Sequence, residues 1–71
     1  MEQSLIGKNA GLIWTLLDGK VKEEATKLKK ESHLSEPEFW TAIGWLSREN
    51  KLEVSSEKKG RKTLVHYSLK K

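Results

Sequence analysis

Apolar positions recur at helical spacing through the first two thirds of the chain and alternate in the last third. Ile6, Ala10, Ile13 and Leu17 form one stripe, widened at its edges by Trp14 and Leu16, and predict a helix over about 6–18. Asp18-Gly19 is a turn signal that stops it. Val21, Ala25 and Leu28 make a narrower stripe, predicting a short helix over about 22–31 and a very short extended piece near Val21. Glu23 and Lys27 are expected as an i,i+4 ion pair on the outer face of that helix. After the connection Ser32-His33-Leu34, Ser35 is a good N-cap, Glu38 is its capping-box partner and Pro37 sits in the first turn. Phe39, Ala42, Ile43 and Leu46 continue that helix over about 36–49, and Asn50 suits a left-handed cap. The period then changes to two, predicting strands over about 51–56 and 63–69. Pairing Val54 with Val65 and Leu52 with Tyr67 puts both pairs on one face and Gly60 in the turn.

Three short amphipathic helices bury their stripes only against one another, and a lone hairpin must lean on them for stability. The short connection between the second and third helices forces a steep crossing, as in a helix-turn-helix, with Leu34 plugging the corner. The predicted fold is therefore α+β: a winged helix-turn-helix in one domain over residues 1–71, three helices followed by a two-stranded wing.

Two blocks of residues carry a resemblance as well. Ile6-Gly7-Lys8-Asn9-Ala10-Gly11-Leu12-Ile13-Trp14 is one, and Leu34-Ser35-Glu36 through Ala42-Ile43-Gly44-Trp45-Leu46-Ser47-Arg48-Glu49 is the other. Together they resemble a small family of bacterial stand-alone winged helix-turn-helix domains of unknown function. The resemblance implies the fold, DNA binding by analogy with regulator-type domains, and a homodimer.

Charge sharpens the functional expectation. The chain carries a net +4, yet Met1 to Asn50 holds seven Lys/Arg against eight Asp/Glu, and Lys51 to Lys71 holds seven against two. A near-neutral body with a basic hairpin points to nucleic acid. Lys58, Lys59, Arg61 and Lys62 at the wing tip are the candidate phosphate contacts, with Thr41 and Arg48 presented by the third helix to a groove. Glu36 and Glu38 in the first turn of that helix oppose phosphate and count against base readout. The alternative function is a protein-interaction or homodimerisation face in which Trp40, Gly44 and Trp45 form a notch. Trp14 is expected to fold back as core edge, and Lys70-Lys71 to be a frayed end. Lys27, Lys29 and Lys30 alternate with glutamates, as on a solvated helix face.

Other classes find no support. With zero cysteines there are no disulfides or thiolate metal sites, and His33 and His66 fall in separate elements. No phosphate-binding glycine loop, HExxH or nucleophile elbow occurs, so neither catalysis nor a cofactor is expected. The N-terminus lacks signal-peptide character, and no apolar run approaches the ~20 residues a membrane span needs. A cytoplasmic location is the expectation.

Overall fold

The computed structural model describes residues 2–70. Helix α1 spans Gln3–Leu17, strand β1 Glu23–Glu24, helix α2 Ala25–Ser32 and helix α3 Glu36–Arg48. Strands β2, Leu52–Lys59, and β3, Lys62–Leu69, complete an antiparallel sheet of order β1-β3-β2. The architecture is a winged helix-turn-helix.

The core sits where the three helical stripes and one sheet face meet. Ile13 and Leu17 of α1, Leu28 of α2, and Phe39, Ala42, Ile43 and Leu46 of α3 close on Leu52 and Tyr67 of the sheet. Leu34, in the turn between α2 and α3, packs against this cluster. That turn is built around one buried hydroxyl: Ser32 Oγ donates to the Lys29 carbonyl at 2.7 Å and accepts the Leu34 N–H at 3.2 Å. His33 follows in the left-handed conformation, φ 58°. Helix α3 then begins with a complete capping box, Glu38 N–H donating to Ser35 Oγ and Ser35 N–H to Glu38 Oε1. It ends in a Schellman motif, with Asn50 at φ 60° and the Lys51 N–H donating to the Leu46 carbonyl at 3.0 Å.

Several expectations need correction. The short strand falls on Glu23–Glu24, after Val21, which is 90% exposed and takes no part in the core. Glu23 is therefore a strand residue opposite Tyr67, not a surface residue of α2. Its carboxylate, only 10% exposed, accepts from Lys20 at 2.7 Å and stands 4.0 Å from Lys27. Lys20 also reaches Glu31 at 3.1 Å, fastening the turn after α1 to both β1 and the end of α2. Trp14 is not core edge but 42% exposed. Lys70 is held at both ends, its N–H donating to the Lys51 carbonyl and its Nζ to Asn50 Oδ1, so it is not frayed; Lys71 lies outside the described residues.

The wing register also differs. Leu52 pairs with Leu69, Val54 with Tyr67 and Ser56 with Val65, a slide of two residues that keeps every side chain on its expected face. Turn chemistry explains the slide. The expected register would put Lys59 at the first central position of the turn. The observed one pairs Lys59 with Lys62 and puts Gly60, at φ 60°, in that place. A two-residue hairpin turn with positive φ only at its first central position is the II′ type, which glycine satisfies without strain.

Candidate nucleic-acid interface

Beyond Leu52, every residue of β2 from Glu53 to Lys59 is exposed, so the hairpin projects from the body over most of its length. The seven steps between the eight residues of each strand, at about 3.3 Å per step, give a wing of roughly 23 Å. Alternation distributes its cations. Tyr67, Val65 and Thr63 share the helix-side face with their partners Val54, Ser56 and Lys58. Lys59 and Lys62 sit opposite each other on the outer face, and Arg61 occupies the turn. All four cations are exposed, and among the described residues none is held by a carboxylate.

The body pairs some of its cations. Lys20 is held by Glu23 and Glu31 and Lys29 by Glu36 at 2.6 Å, while Lys27 stands 4.0 Å from Glu23 with its side chain in solvent, and Lys8, Lys22, Lys30, Arg48 and Lys51 have no carboxylate partner among the described residues. The Lys20 ammonium is stabilised, its pKa raised by the Glu23 and Glu31 carboxylates. Lys29 was expected on a solvated face of α2; it spans instead to the first turn of α3.

Helix α3 presents a narrow outward surface. Its buried residues Phe39, Ala42, Ile43 and Leu46 define one side, so at about 100° per residue the opposite side carries Pro37, Thr41, Gly44 and Arg48. Gly44 and Arg48 are exposed and Thr41 half-buried, its hydroxyl donating to the Pro37 carbonyl. A β-carbon placed on Gly44 would meet nothing within 4 Å, leaving the backbone at that point open to a close approach. The two leading carboxylates are internally engaged. Glu36 takes the Lys29 ammonium and the Trp40 indole N–H, at 3.0 Å, and both contacts hold its carboxyl below the usual range, Lys29 most. Glu38 is lowered by the Ser35 backbone N–H of the capping box.

The tryptophans expected to rim one notch lie on different flanks of α3. Five residues apart on a helix, Trp40 and Trp45 point about 140° from each other. Trp40, 47% exposed, packs edge-on against Phe39 with ring centroids 4.9 Å apart. Trp45 is half-buried against the core and faces a groove shared with α1. The outward surface between them is left to Thr41, Gly44 and Arg48.

A family model described as a winged helix-turn-helix domain (DUF2582) matches residues 1–66. The chain belongs to that family. No curated protein matches it. The DUF2582 description names a fold and no activity, so the site's chemistry must come from its own residues. No helix among the described residues is long and apolar enough to cross a membrane, and no cluster of three or more metal-ligating side chains occurs among them.

Proposed function

We propose that the protein binds double-stranded DNA as a transcription regulator or accessory factor, through its wing and the outward surface of α3. The observation that carries this reading is the concentration of free cations at the wing tip. Among the described residues, Lys58, Lys59, Arg61 and Lys62 stand exposed and without a carboxylate partner within five residues of a projecting hairpin, whereas in the body Lys20 and Lys29 are tied to glutamates and the free cations Lys8, Lys22, Lys30, Arg48 and Lys51 are spread along the chain. Unpaired cations on a narrow protrusion engage backbone phosphates without first breaking an internal contact. Lys59, Arg61 and Lys62 form the contacting set, and Lys58 serves from the opposite face of the hairpin. Thr41 and Arg48 enter the groove alongside, and Gly44 between them lets the helix backbone come close. With one free arginine and Glu36 and Glu38 at the leading turn, α3 contributes positioning more than base readout.

The test is an amide chemical-shift titration with a mixed-sequence duplex at low salt, repeated at moderate salt. Shifts at 58–62 and at Thr41, Gly44 and Arg48, fading with salt, are the expected result. No shift at low salt refutes the proposal.

A further inference from the structure

A groove of about 390 Å³ lies between α1 and the end of α3. Two core residues, Ala10 and Leu46, line it together with Trp14 and Trp45. Gly7 and Gly11, one turn apart on α1, line it as well. Glycine is among the weakest helix formers, yet a β-carbon at either position would meet nothing within 4 Å, so no contact within the chain calls for one. What the two glycines leave is room beside the indole rings. The lining also carries one charge of each sign, Glu49 and Lys51, both exposed and, among the described residues, in no ion pair with each other or with a third group. Asn50 between them is held in the turn that ends α3 and accepts from Lys70 Nζ at 2.8 Å, so both charged side chains start from an anchored backbone.

We propose that this groove binds a free aromatic amino acid. Its volume lies in the range of small-molecule sites, roughly 300–1,000 Å³. Apolar residues, two indole rings and a helix side bare of side chains suit a flat apolar ring. The two charges select what the ring carries. A lone anion is repelled by Glu49 and a lone cation by Lys51, whereas a ligand bearing an ammonium and a carboxylate finds a partner for each. A zwitterion joined to a flat ring is an aromatic α-amino acid. The interior of a polypeptide offers no such pair, since its backbone ammonium and carboxylate are spent in peptide bonds. Trp45 and Glu49 lie on a flank of α3, so the ligand leaves Thr41, Gly44 and the wing uncovered. This proposal does not rest on DNA binding.

An amide chemical-shift titration with L-phenylalanine tests it. Shifts at Gly7, Gly11, Trp14 and Trp45 are expected, with a dissociation constant of about 1 mM or below. Phenethylamine lacks the carboxylate and phenylpropionate the ammonium, and each binds about three- to fivefold more weakly. Glu49→Gln weakens L-phenylalanine to the same degree and leaves phenylpropionate no weaker; Lys51→Met weakens L-phenylalanine likewise and leaves phenethylamine no weaker. Gly11→Leu, which fills the groove where the chain leaves room, abolishes the shifts while its thermal melt lies no lower than that of wild type. Absence of groove shifts at the solubility limit of L-phenylalanine overturns the proposal. So do equal binding of the three probes, charge variants that act on every probe alike, or a folded Gly11→Leu that still binds.

Discussion

Replacing wing cations by glutamine converts the geometry of the hairpin into a salt dependence. Each phosphate neutralised by a lysine or arginine adds about 0.9 to the slope of log affinity against log salt. Alternation along the strands puts Lys59 and Lys62 on one face, Lys58 on the other and Arg61 in the turn, so one duplex backbone meets three of the four. The quadruple glutamine variant should therefore lose about 2.7 from the slope, and Lys58→Gln alone less than about 0.5. Between about 50 and 200 mM salt, wild-type affinity should fall about 40-fold more than that of the quadruple variant. Loss of the wing itself cannot imitate this result. Lys59 and Lys62 are directly opposed like charges, and removing them relieves the hairpin. Fluorescence anisotropy with a labelled mixed-sequence duplex across a salt series measures the slope. An unchanged slope in the quadruple variant, or a full unit lost with Lys58 alone, refutes the assignment of faces.

Three further outcomes follow from contacts in the body. Glu36→Gln frees Lys29 and removes a charge from the leading turn of α3, so DNA affinity should rise about two- to fivefold in the same anisotropy assay; a decrease would mean that this turn lies away from the phosphates. Ser32→Ala leaves the Leu34 N–H without its acceptor and should cost about 1–3 kcal/mol in urea denaturation, against no change if water substitutes fully. Acid should destabilise the fold through Glu23, Glu36 and Glu38, whose carboxyls lie below the ordinary value of 4.5. The unfolded chain takes up protons first, so this stability is complete above that value and is lost as pH falls through the lower folded pKa values. Thermal melts from neutral pH downward should show it, with Glu23→Gln flattening the curve; parallel curves for wild type and variant would exclude Glu23 as a source.

How much of this was legible in the chain depends on whether the deciding contact is local. Helix α3 could be placed closely because its start is written three times within four residues, in Ser35, Pro37 and Glu38, and its end in Asn50. Helix α1 begins earlier than its apolar stripe because Gln3, Ser4 and Leu5 extend it without a side-chain cap, leaving no sequence signal. The displacement of the short strand to Glu23–Glu24 comes from pairing with His66 and Tyr67, a contact between distant parts of the chain that periodicity does not record. The wing register was within reach, since Gly60 belongs at the first central position of a two-residue turn. The division of Trp40 from Trp45 was also available from helix geometry alone. The exposure of Trp14 was not, because it depends on how far α1 and α3 stand apart at their groove.

The shallow anchoring of the wing has a dynamic consequence. Of β2 only Leu52 is buried, and β1 supports β3 at just two residues, so the outer hairpin gains little from the core. Its amides should open locally, without unfolding of the helices, and hydrogen exchange should quicken from the Leu52–Leu69 pair toward Lys59–Lys62. DNA contact at the tip would then order a fluctuating segment. Part of the interaction energy goes into that ordering, which lowers affinity while letting the tip adapt its cations to backbones of different groove width.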